Sequence, residues 1–178
     1  MKRVLLIAAA ILAVLILGAS SVMAAKGDNP ANDKEEGVGE ANVAFLYLYE
    51  KDADWEIVWD GAWGKMKFNL YCNTFDFLFN GHGLEANTDY SLIYYPEPQT
   101  TWPWPVTVLA GGTSNDGGNI HLAGSYDFNA DLENAKIWLV LTDDIVDGSI
   151  SGWNPSEYLF EHDLISYDHC DDTPPPVL

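Results

Sequence analysis

Between residues 42 and 150 the chain shows no sustained apolar repeat of 3.6 residues; it shows short alternating runs, each closed by a cluster of Asn, Asp, Gly or Pro. The runs are VAFLYLYE (43–50), WEIVW (55–59), GKMKFNLY (64–71), TFDFLFN (74–80), YSLIYY (90–95), VTVLA (106–110), NIHLAGSYD (119–127) and KIWLVLT (136–142). They are rich in β-branched and aromatic residues, the side chains that fit a pleated, half-buried surface. Parallel sheets need crossover helices, and no segment here supplies one, so a doubly wound α/β fold is excluded.

The alternation also assigns faces. Phe75, Phe77 and Phe79 share one side of their strand, with Asp76 on the other. In 64–71 it predicts Met66, Phe68 and Leu70 inward and Lys65, Lys67 and Asn69 outward. Residues 43–50 are apolar on both sides, as in a strand lying between two layers. The helical candidate is NPSEYLFEHDLI (154–165), where Asn154 suits a cap, Pro155 the first turn and Glu157 the capping-box position. One helical turn is predicted there, leading into a last strand at 159–166. The prediction is an all-β chain of eight or nine strands: a two-sheet antiparallel β-sandwich, immunoglobulin-like or a partly closed barrel.

The N-terminus, MKRVLLIAAAILAVLILGASSVMAAKG, reads as a secretory signal over residues 1–24. Lys2 and Arg3 form a basic start, Val4 to Leu17 an apolar run, and Val22 and Ala24 the small residues before a cleavage site. An uncleaved anchor is the rival reading. Residues 25–41 are polar and punctuated by Gly and Pro, a flexible leader; the domain then spans 42–167, and 168–178 form an acidic, Pro-rich tail. Without residues 1–24 the chain carries 27 acids against six lysines, a formal charge of −21, and no arginine. Such a surface repels phosphate backbones and lacks a guanidinium fork, which excludes nucleic acid as a partner. Export also changes how the two cysteines are read. Cys72 and Cys170 lie 98 positions apart with no metal-type spacing, so a disulfide is predicted, closing a loop worth about 4–5 kcal/mol in the chain-entropy picture.

Few residues offer catalytic chemistry. GSISG (148–152) has Ile150 where a nucleophile elbow needs serine. A glycosidase carboxyl pair needs one member in a dry site, whereas most of these acids sit in wet turns. The histidines His82, His121, His162 and His169 include no HxH pair, and His162, His169 and Asp171 converge only if the C-terminus folds back. A hard cation such as Ca²⁺ suits the chain better. Asp143, Asp144 and Asp147 share one loop after a strand and are the candidate ligands, although the DxDxDG spacing is absent. No other cofactor is indicated.

Aromatic residues stand out, with seven Trp and nine Tyr in 178 residues. Trp55, Trp59 and Trp63 recur every four residues, and the first two are assigned to the core. TWPWP (101–105) differs: Pro103 and Pro105 lack N–H donors, so the segment cannot complete an interior ladder and should hold Trp102 and Trp104 out at the surface. Indole faces stack on sugar rings or on another protein. A lid over a barrel end is the competing arrangement.

The runs GHGLEANTDYSLIYY (81–95), GGTSNDGGNIHLAGSYD (111–127) and AKIWLVL (135–141) resemble a group of secreted archaeal β-sandwich proteins that share a "GL…NT.Y.LIYY" strand and an "AKIWLV" strand. The resemblance covers roughly residues 43–165 and implies a sandwich fold and export; no activity comes with it. The sequence thus predicts a secreted or cell-surface, non-catalytic binding module for carbohydrate or another envelope component, acting through Trp102 and Trp104. A structural or assembly protein of the envelope is the alternative, and a glycoside hydrolase the third.

Overall fold

A computed structural model describes residues 42–170, and among these the regular structure is almost all β. The predicted signal, the leader and residues 171–178 of the tail, with Asp171, lie outside the described residues. One five-stranded sheet runs in the order β12 (Phe160–Glu161), β1 (Val43–Tyr49), β2 (Trp63–Asn69), β4 (Phe75–His82), β8 (Ile120–Tyr126), every pair antiparallel. The second runs β3 (Tyr71–Cys72), β13 (Ile165–His169), β9 (Leu132–Leu141), β5 (Asp89–Tyr95), β7 (Thr107–Thr113), with β3 and β13 parallel. A small third sheet joins β10 (Ile145–Val146), β11 (Ser149–Ile150) and β6 (Trp104–Pro105). Among the described residues no helix is long and apolar enough to cross a membrane.

The alternation seen in the sequence places the main core. Phe75, Phe77 and Phe79 are buried while Asp76 and Leu78 of the same strand are exposed. With Leu46, Leu48, Met66, Phe68 and Leu122 they meet Tyr90, Leu92, Ile137, Leu139, Ile165 and Tyr167 from the second sheet. Close approach is built in by Gly64, where a Cβ would stand 2.3 Å from the Phe79 ring. Leu139 and Leu159 exchange backbone hydrogen bonds of 2.9 Å, which ties the second sheet to the segment entering β12.

The second sheet is buried on its other face as well. Ile93, Tyr95, Trp138 and Val140, the alternate residues of β5 and β9, form a second cluster with Ile150, Tyr158 and Phe160. The cover over them is the small third sheet and the segment around two 3₁₀ turns, Thr142–Asp144 and Pro155–Glu157. This is why YSLIYY and KIWLVL read as continuous apolar runs and not as half-polar ones.

Thirteen strands are present among the described residues, against the eight or nine expected; five of them are two-residue pieces that periodicity is too short to reveal. WEIVW (55–59) is not a strand. Asp52 Oδ1 accepts the N–H groups of Asp54 at 2.9 Å and Glu56 at 3.0 Å, and Trp55 adopts φ 65°, so a local side-chain turn cuts the pairing down to one antiparallel bridge, Ile57 to Lys51. Trp55 and Trp59 are consequently more than half exposed, not in the core. The strand expected at 159–166 is split by a bend into β12 and β13, and β13 runs on through Asp168 and His169, past the boundary at 167. The predicted helical turn is present as the 3₁₀ turn Pro155–Glu157.

Candidate binding cavity

The Trp-Pro loop forms an outer edge, as its missing donors require. Trp104 and Pro105 pair with Ile150 and Ser149 at the margin of the small sheet, where a ladder needs no donor on the far side. Trp102 is 46% exposed, as expected for a platform residue. Trp104 is only half-buried: its ring meets Trp102 at 4.9 Å, Trp153 at 5.4 Å and Tyr95 at 5.8 Å, each edge to face. The pair therefore divides between the two arrangements weighed from the sequence. Trp102 faces solvent and Trp104 is a wall.

Behind that wall lies a cavity of about 280 Å³. Six aromatic side chains line it: Trp55, Tyr95, Trp104, Trp138, Trp153 and Phe160. Trp138 stacks on Tyr95 at 4.3 Å with the planes 21° apart, while Phe160 packs edge to face on Trp138 at 5.2 Å and on Trp55 at 5.1 Å. Trp153 reaches the cavity from the covering segment. Four elements far apart in sequence thus converge: the turn after β1, the end of β5 with the Trp-Pro loop, β9, and the cover leading into β12.

Four charged side chains complete the lining, namely Lys51, Glu97, Lys136 and Glu161. Lys136 Nζ ion-pairs with Glu97 Oε1 and sits 5.9 Å from the centre of the Tyr95 ring. Glu161 is half-buried, and burial pushes its carboxyl up to about 7; its own backbone N–H, the Trp138 indole, Lys136 and Lys51 offset that only in part. The indole faces the carboxyl without completing a hydrogen bond. Trp138 Nε1 and Glu161 Oε2 are each buried with no hydrogen-bond partner among the described residues. Buried polar atoms are nearly always paired, so a donor and an acceptor left open on one cavity wall require an explanation.

The acidic loop proposed for Ca²⁺ does not bring its three carboxylates together. Asp143 and Asp147 are exposed, whereas Asp144 is buried and accepts hydrogen bonds from Asn154 Nδ2, 2.9 Å to each oxygen, and from the Tyr158 hydroxyl. Asp144 staples the covering segment, and its carboxylate is packed so closely on Gly152 that a Cβ there would stand 1.8 Å from Oδ1. Among the described residues no group of three His, Cys, Asp or Glu side chains is arranged to hold a metal ion.

The predicted disulfide between Cys72 and Cys170 is not formed in this structure. The fold nevertheless brings them to the same corner: the Cys170 N–H donates to the Cys72 carbonyl at 3.2 Å, and the Tyr167 hydroxyl donates to that same carbonyl. His162 and His169 do not converge. His162 pairs with Asp163 and lies against Tyr49, while His169 Nε2 is 3.2 Å from Asp127 Oδ1.

Sequence reasoning missed Trp138, Trp153, Tyr95, Phe160, Glu97, Lys136 and Glu161. The available signal was Glu161 itself, an acid immediately after the apolar run YLF in a segment read as a last strand. Comparison with protein-family models, with curated proteins and with solved structures finds no match.

Proposed function

We propose that this chain is a non-catalytic binding module, exported and acting outside the cell or at its surface, that takes up a saccharide or another envelope component in the aromatic cavity. The observation that carries the reading is the cavity itself: six aromatic side chains around a half-buried carboxyl, with exposed Trp102 packed against Trp104 of the lining. Ligand sites are concave and mostly apolar, with a few placed polar groups, and this lining has that balance. Indole and phenol rings offer flat apolar faces for sugar C–H groups, and their edges and the flanking charges offer hydrogen bonds for hydroxyls. The finer architecture belongs to the same proposal: a two-layer β-sandwich whose second sheet wears the binding cover, with the Cys72–Cys170 pair bridged after export.

The test is binding of the full chain to a panel of soluble and immobilised polysaccharides, followed through tryptophan fluorescence. Saturable quenching by one glycan class, abolished by Trp153→Ala, supports the reading. A chain that binds no glycan but self-associates with rising concentration overturns it in favour of an envelope assembly protein.

A second reading, a glycoside hydrolase, is favoured by Glu161 alone. A carboxyl raised toward neutrality in an aromatic cleft is what a general acid needs, and Glu97 is the other carboxylate of the lining. Turnover of a nitrophenyl glycoside panel that is lost in Glu161→Gln would put this reading first.

A further inference from the structure

The cavity holds two polar atoms whose needs are complementary. Trp138 Nε1 can only donate a hydrogen bond, and Glu161 Oε2 in the ionised carboxylate can only accept one; both are buried, and although the indole lies close enough to act on the carboxyl, neither atom completes a hydrogen bond among the described residues. Their mutual contact falls short of a completed hydrogen bond, so a third group placed between them would satisfy both at once. The chemistry of that group follows by elimination. A cation would satisfy Glu161 but leave the indole N–H unpaired, and it would meet Lys51 and Lys136 in the same lining. A carboxylate or sulfate would accept from Trp138 but be repelled by Glu161. An apolar group satisfies neither. A hydroxyl does both at once, accepting from the indole N–H and donating to the carboxylate, a role it shares with water, which a ligand hydroxyl displaces.

We infer that Trp138 and Glu161 together read one hydroxyl of a neutral sugar residue, whose ring is held against the surrounding indoles. The inference rests on the saccharide reading above and narrows it. Neutrality follows from the lining, where two glutamates face two lysines and Lys136 is already committed to Glu97. It follows as well from the strongly acidic chain, whose field opposes anionic glycans. Because the hydroxyl donates to the ionised carboxyl, binding favours the deprotonated form and weakens as the pH falls through the range where Glu161 takes up a proton. The charged and titratable groups facing it are Lys136 of β9, Lys51 of the turn after β1, and Glu97 and Tyr95 at the end of β5. His162, next in the chain, is turned onto Tyr49 and Asp163.

The experiment is a calorimetric titration of the full chain at pH 8 and pH 5.5 with methyl glucoside, methyl galactoside, methyl mannoside, methyl N-acetylglucosaminide, methyl glucuronide and tetramethylammonium. A neutral glycoside should bind, with the glucuronide at least about tenfold weaker and no competition from tetramethylammonium. Glu161→Gln should weaken binding at pH 8 by about tenfold or more, the loss of a charge-assisted hydrogen bond. The wild type should weaken by roughly tenfold per pH unit once below the carboxyl's range, while Glu161→Gln should be flat with pH. The glycoside lacking the hydroxyl that is read should bind the wild type as weakly as the parent glycoside binds Glu161→Gln. Equal binding by wild type and Glu161→Gln overturns the hydroxyl pair but leaves the saccharide reading intact. Tight binding of tetramethylammonium, or no binding of any glycoside, overturns both.

Discussion

Replacing Glu161 by glutamine should stabilise this protein at pH 8 and leave it almost unchanged at pH 4. The carboxyl's ordinary value of 4.5 is raised to about 7 in the native state, chiefly by burial. Between those two values the native chain keeps a proton that the unfolded chain releases. The native state then binds more protons than the unfolded one, so stability falls as pH rises through the window. Each unit of difference corresponds to about 1.4 kcal/mol, which places the loss at about 3 kcal/mol above pH 7. Glutamine is nearly isosteric with the protonated acid and never ionises, so the variant escapes the loss. The quantity to measure is the difference between variant and wild type in urea midpoint or melting temperature across pH 4–8. Subtraction removes every other carboxylate, which matters in a chain with 27 acids. The difference should be near zero below pH 4.5 and rise to about 3 kcal/mol, or roughly 10 °C for a domain of this size, above pH 7. A constant offset across the range, or a variant less stable than wild type at pH 8, would refute the argument that burial dominates at this site.

Asp144→Ala should cost about 3–5 kcal/mol at neutral pH, because it strands the buried Tyr158 hydroxyl and the Asn154 amide that now bond to its carboxylate; chemical denaturation checks it. Trp104→Ala should destabilise by roughly 2–3 kcal/mol through lost edge-to-face packing on Tyr95 and Trp153, whereas Trp102→Ala, at an exposed ring, should stay within about 1 kcal/mol. A melting scan of both variants separates a wall residue from a platform residue. Under oxidised glutathione, Cys72 and Cys170 should lose two alkylatable thiols and gain one crosslinked peptide; persistence of both thiols would show that the corner does not close.

What the sequence determined by itself is the all-β class and the inward face of the longer strands. Alternation is a local property with a period of two, so Phe75, Phe77 and Phe79 were assignable against Asp76 without knowing any partner strand. The exposure of Trp102 was legible for the same reason, since two prolines remove donors wherever the loop goes. The limits of that reasoning appear at WEIVW, where the Asp52 side chain captures two backbone N–H groups and an alternating run is reduced to a single bridge at Ile57. Pattern alone does not report such competition. The cavity was decided only by tertiary structure. Trp138 reads as one more apolar residue in AKIWLVL, and it becomes a cavity wall because the segment 145–160 folds over the second sheet. Glu161 reads as a solvated acid at a strand end. It acquires its raised pKa and its unpaired oxygen because Trp138 and Lys136 from β9 and Lys51 from the turn after β1 close around it, and desolvation depends on what surrounds a group, not on its neighbours in sequence. Asp144 gives the same lesson in reverse. Its loop position suggested a ligand for a cation, but Asn154 and Tyr158 from the returning chain use its oxygens first, since a carboxylate carried into a dry layer must take the donors packed against it.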